Sequence, residues 1–166
     1  MQHVPGANLL ANLRRMRRRS VLATLALAWA ALPLAAPLAE AQHPLAALAV
    51  RSLYSGLCHQ DPARSFTING WPAAVCVRCL GIYLGAALGV IAAPYWRLRR
   101  EFARQICCAA ALLNLLDALT EILRLHGDLP LPRFFFGALL GAACSLMVML
   151  PEPSPGTQCG PRRSSL

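Results

Sequence analysis

Charged side chains are scarce in this 166-residue chain: they make up 14% of it, only seven are acidic, and 57% of the residues are hydrophobic. An ordinary soluble domain carries about 25% charged residues, so that class is excluded and a bilayer is indicated. Long polar interruptions are also missing from four apolar stretches, Val21 to Ala39, Val75 to Ala93, Phe102 to Leu123 and Pro132 to Leu150. Each is close to the roughly 20 residues that cross a hydrocarbon core. Lipid offers no partner to an open strand edge, so these segments are expected to be helices. The predicted fold is all-α, an integral membrane helical bundle with four spans in a single domain's length of chain.

Seven acids against sixteen basic residues leave a net charge of +9, yet the placement excludes a nucleic-acid surface. The arginines stand beside helix ends rather than along one polar face. Arg14, Arg15, Arg17, Arg18 and Arg19 precede the first stretch, Arg97, Arg99, Arg100 and Arg104 follow the second, and Arg162 and Arg163 lie in the tail. Basic flanks stay inside, so these regions are predicted to be cytoplasmic. Glu40, Arg51, Asp61 and Arg64 nearly cancel, so the segment carrying them is predicted to face outward. The expected setting is a multi-pass protein of the cytoplasmic (inner) membrane, N-terminus inside if the first span is retained, with membrane lipid as its partner. A homo-oligomer is compatible with this reading.

Four regions follow. Residues 1–20 are a basic cytoplasmic N-terminus. Residues 21–41 are a first span or a signal peptide, since Pro33, Pro37 and the small-x-small Ala39-Glu40-Ala41 also fit a cleavage site before Gln42; cleavage would leave three spans. Residues 42–150 form the membrane domain. Residues 151–166, including Cys159, have too little apolar surface to pack and read as a disordered cytoplasmic tail. Leu45 to Leu57 is too short to cross and reads as an interfacial helix that delivers Cys58 to the membrane surface.

Gly81, Gly85 and Gly89 recur every four residues, and Gly137 and Gly141 repeat the spacing, so the second and last spans are predicted to pack closely. The third span carries Asn114, Asp117, Glu121 and Arg124 along one face. Ionisable groups at such depth cost about 2.5 to 3.5 kcal/mol on insertion scales, which makes them functional candidates. With the predicted orientation, Cys76, Cys79, Asp117, Glu121 and Arg133 converge at one depth on the outer side.

Cys107, Cys108 and Cys144 lie inside apolar helices, where a thiol behaves as a small hydrophobe. Cys58, Cys76 and Cys79 differ. Cys76 and Cys79 sit at a helix N-terminus, where the dipole and Arg78 favour thiolate, the species that binds metal and attacks disulfides.

The stretch Cys58, His59, Gln60, Pro62, Arg64, Ser65, Phe66, followed by Cys76, Arg78, Cys79, Gly81, Ile82 and Tyr83, resembles the hallmark of the domain of unknown function 2085, a family of predicted membrane proteins of bacteria and archaea. The resemblance extends over about Leu53 to Leu150 and implies no activity. Site chemistry then leaves three readings. In the first, Cys58, Cys76 and Cys79 hold zinc or another transition metal, with His59, His126, Asp117 or water completing a tetrahedron. Arg64 would balance thiolate charge, bind an anion or anchor to lipid phosphate, Ser65 would cap a following turn, and Tyr83 would support the site or sit in an aromatic belt. In the second, Cys76 and Cys79 cycle as a disulfide with Cys58 as exchange partner. That layout is similar to quinone-linked thiol oxidoreductases of the DsbB type, but the outer loop from Arg124 to Pro132 lacks the cysteines of a second disulfide. In the third, the cysteines are structural, which leaves one of three unpaired.

Overall fold

Pro33 and Pro37 have no N–H to give, so the carbonyls of Trp29 and Pro33, four residues earlier, lose their helical donors. The computed structural model, which describes residues 5–95, 99–123 and 129–150, supplies both donors from elsewhere in the chain. The Tyr54 hydroxyl donates to Trp29 O at 2.6 Å, and the Ala74 N–H donates to Pro33 O at 3.1 Å. Helix α1 (Pro5–Ala39) therefore runs through both prolines without a break. The two bonds fasten to it a short helix, α2 (Pro44–Ser55), and the loop that enters the next span. The Trp29 and Tyr54 rings pack with centroids 4.7 Å apart, which buries the same joint.

Helix α2 keeps Ala47 and Tyr54 buried against α1 and leaves Leu45, Leu48 and Leu53 outside, the one-sided pattern of an interfacial helix. A single turn of 3-10 helix follows at Pro62–Arg64. Then comes a small antiparallel hairpin of β1 (Thr67–Ile68) and β2 (Trp71–Pro72), with Thr67 opposite Pro72 and Ile68 opposite Trp71. Asn69 and Gly70 both have positive φ, 53° and 83°, as a two-residue type I′ turn requires. The apolar-run reading of the sequence did not anticipate this hairpin.

Three long helices complete the bundle: α3 (Val77–Ala92), α4 (Arg100–Ile122) and α5 (Pro130–Met149). Among the described residues, Asn12–Ala39, Arg100–Ile122 and Pro130–Met149 are long and apolar enough to cross a membrane. The expected span Val75 to Ala93 is the shorter one. Its 16 helical residues rise about 24 Å, against a hydrocarbon core of about 30 Å.

In space the order is α1, α3, α5, α4, each packed on the next, with α2 folded back on α1. The α3–α5 joint is the tight one, as the glycine spacing predicted. A Cβ placed on Gly85 would meet the backbone of Ala138, and one on Gly141 the backbone of Ile82. Only a residue without a side chain lets the two backbones approach so closely. Leu112, Leu115, Ile122 and Phe135 stand exposed on the outside of the bundle, as expected where the surrounding solvent is lipid.

Two of the cysteines inside the helices face each other. Cys107 of α4 and Cys144 of α5 bring their sulfurs to 3.3 Å. Diamide should take two electrons and two protons from this pair, itself reduced to the hydrazine, and join α4 to α5 by a disulfide. Alkylation followed by mass spectrometry should show both thiols protected together. Cys108→Ser should leave that protection intact and Cys107→Ser should remove it.

Arg97, Arg124, His126, Cys159, Arg162, Arg163 and the whole 151–166 tail lie outside the described residues.

Candidate functional site

Gln60 sets the geometry at the end of α2. Its backbone is left-handed, φ 53°, and its side-chain amide donates to the Arg51 carbonyl at 2.6 Å. That turn directs the Gln60 N–H to Cys58 Sγ at 3.5 Å. The Cys76 N–H, at the mouth of α3, donates to the same sulfur at 3.2 Å. Arg51 in turn pairs with Glu40 at 3.0 Å and donates to Pro72 O at 2.9 Å, so α2, the end of α1 and the hairpin are held as one unit.

Cys76 is the N-cap residue of α3, and Cys79 lies three residues further along. The sulfurs of Cys58, Cys76 and Cys79 lie within 4.8 Å of one another. Cys58 is buried, with Tyr54, Val75 and Leu80 around it and Phe66, Tyr83 and Phe134 closing over them. Hydrogen bonds from the thiols of Cys76 and then Cys79, reinforced by the two backbone N–H groups, hold the Cys58 thiol far below the usual thiol range. Donors that favour the charged sulfur outweigh the burial that opposes it.

His59 does not join the cluster. Its side chain is exposed, because the side chains of neighbouring residues in this turn diverge. Asp117 is engaged with arginines instead. Among the described residues the donor set is therefore three thiols with no imidazole.

A second group of charged residues assembles beside the first. Arg78 pairs with Asp117 and, at 3.2 Å, with Glu121. Arg133 reaches Asp117 at 3.7 Å and Glu121 at 3.5 Å. Arg64 pairs with Glu121 and, at 3.2 Å, with Asp61. The two carboxylate side chains from α4 are only 8% and 13% exposed, and Arg133 only 6%. Arg78 thus serves the carboxylates of α4 through its guanidinium, so the thiolate support at Cys58 comes from sulfur and backbone donors. Asn114, one turn deeper, donates to Ala110 O at 2.9 Å and to Phe136 O at 2.8 Å, tying α4 to α5.

Four further residues take positions that spacing alone left open. Asp61 is the N-cap of the 3-10 turn, accepting from the Ala63 N–H at 3.0 Å, and Ser65 is its C-cap, with its hydroxyl donating back to Asp61 O at 2.9 Å. Tyr83 packs against both Trp29 and Tyr54, with centroids at 6.2 Å and 5.9 Å, inside the bundle rather than in a lipid-facing belt. Phe66 stands edge-on to Phe134 at 6.2 Å. For Gln60, which sequence reasoning left without a role, the available signal was its place directly after Cys58-His59 at the end of a short helix.

A cavity of ≈ 360 Å³ is lined by members of both groups, Cys76 from the first and Arg64, Arg78, Glu121 and Arg133 from the second.

Against known proteins, an uncharacterized protein of Methanocaldococcus jannaschii is 34% identical over 93 residues, 54% of this chain and 60% of that relative. The chain thus spans less than two thirds of the length of the curated relative it matches. No solved structure matches. The family model described as Predicted membrane protein (DUF2085) matches residues 58–147, more than half of the chain, from Cys58 into the glycine-packed α5. The chain belongs to this family of predicted membrane proteins.

Proposed function

We propose that Cys58, Cys76 and Cys79 hold a zinc-like transition-metal ion at the outer face of the cytoplasmic membrane. The observation that carries this reading is the proximity of the three sulfurs, within 4.8 Å of one another. Tetrahedral zinc with Zn–S bonds of about 2.3 Å sets its sulfurs about 3.8 Å apart, a separation that small side-chain rotations reach from here. The two N–H···S bonds to Cys58 orient a ligand and stabilise its thiolate, as outer partners do at metal centres. Three protein donors leave a tetrahedral ion one position short, so such an ion would have room for water or a small ligand. The arginines flanking the other ends of the spans support this orientation.

Elemental analysis of the detergent-solubilised chain, prepared without chelator or added metal, tests the proposal. About one zinc or iron per chain, falling to under a tenth of that in Cys79→Ser, is the expected result. A metal-free chain whose Cys76 and Cys79 titrate as a reversible disulfide would overturn it. The same proximity of three thiols favours that second reading, a membrane thiol oxidoreductase with Cys58 as exchange partner and a quinone as electron acceptor.

A further inference from the structure

The wall of the cavity carries three guanidiniums, from Arg64, Arg78 and Arg133, and one carboxylate, Glu121. They come from three elements: Arg64 from the 3-10 turn, Arg78 from the first turn of α3 and Arg133 from the first turn of α5. Asp61, Asp117 and Glu121 balance them in charge, but not in hydrogen bonds. A guanidinium brings about five N–H donors in a rigid fork. Arg78 makes both of its ion pairs through one terminal nitrogen, Nη2. Its Nε is buried with no acceptor. That nitrogen lies beneath the cavity surface, but the other terminal nitrogen, Nη1, carries neither of the ion pairs, so the guanidiniums of the wall bring more donors than its carboxylates engage.

We infer that this cavity binds a phosphoryl group carried on a small organic body. Guanidinium forks match phosphate oxygens in pairs, and three of them converging from different elements suit a tetrahedral anion with several acceptor oxygens. The Ser65 hydroxyl adds a polar neighbour, while Phe66 and Val77 give the cavity an apolar side for the body. The volume of ≈ 360 Å³ exceeds what phosphate alone fills and falls within the range of about 300–1,000 Å³ typical of small-molecule sites. Because the cavity is lined by the first turns of α3 and α5 and the last turn of α4, where these helices end, a lipid headgroup and a soluble phosphate ester are both sources of that chemistry. The inference goes beyond the metal reading and does not depend on it. The occupant would touch the cysteine centre through Cys76 whether or not an ion is bound there.

The test uses the full chain in dodecyl maltoside, which carries no phosphate. Phenyl phosphate and, separately, phosphatidylglycerol in mixed micelles are titrated while thermal unfolding is followed, with phenyl glucoside as the uncharged control. At least one phosphoryl probe should raise the melting temperature saturably, and phenyl glucoside should not. Saturation by phenyl phosphate alone would identify the soluble source, and by phosphatidylglycerol alone the headgroup. Arg64→Gln and Arg78→Lys should each raise the half-saturating concentration about tenfold or more. Arg78→Lys keeps the charge facing Asp117 and Glu121, and Arg64 has a half-exposed side chain, 48% accessible, so both variants should fold. Failure of both probes to saturate, or wild-type saturation in both variants, would overturn the inference. Metal content, measured on the same samples, reports separately on the cysteine centre.

Discussion

Gly85→Leu should pull α3 and α5 apart and cost the bundle about 3 kcal/mol or more, the upper range for overpacking a close-packed interior. The side chain has nowhere to go: the Cβ alone would lie on the backbone of Ala138, and backbone cannot step aside as a flexible side-chain end can. Gly141→Leu should behave alike, because it meets the carbonyl of Ile82 from the opposite direction. Gly56→Ala is the control, since nothing lies within 4 Å of the added carbon. Thermal unfolding in a mild detergent, followed by circular dichroism, measures the effect. A Gly85→Leu melting temperature within a degree or two of wild type would mean that the α3–α5 contact is not what holds the bundle.

That contact was legible in the sequence because a helix repeats with a fixed period. Glycines spaced by four fall on one face whatever surrounds them, so Gly81, Gly85 and Gly89 identified a packing surface before any partner was known. Apolar runs identified the helices for a similar reason, since lipid rejects unsatisfied backbone and leaves few alternatives. The consequence of the prolines was not legible. Pro33 and Pro37 interrupt a hydrogen-bond ladder locally, but the freed carbonyls are taken by Tyr54 and Ala74, residues 25 and 41 positions further along, and no local rule reports a partner so distant. The hairpin went unread although Asn69-Gly70 is a strong turn signal, because its strands are only two residues each and show no alternation. At the candidate site, Cys58, Cys76 and Cys79 were selected by residue type and depth. The exposure of His59 and the engagement of Arg78 with α4 depend on side-chain direction, which spacing does not encode.

Asp117→Ala should be the most damaging change at that site, costing about 3–5 kcal/mol, the loss expected when one partner of a buried ion pair is removed. The reason lies in how α4 is attached. It packs on α5, and its link to α3 runs through the side chain of Arg78, which pairs with Asp117 and Glu121. Without Asp117, Asp61 still answers Arg64, but Glu121 has to serve Arg78 and Arg133 together, and two guanidiniums sharing one mostly buried carboxylate repel each other where water screens them less. Asp117→Asn, which keeps the shape and one acceptor, should cost less. If the stability comes from the pair rather than from either residue, Arg78→Met added to Asp117→Ala should cost well under its single-site value. The double-mutant cycle, read from unfolding free energies, should give a coupling of about 1–3 kcal/mol. Additive losses would mean that Arg78 and Asp117 act separately, and that the orientation of the first turn of α3, where Cys76 and Cys79 stand, is fixed by the glycine packing against α5 alone.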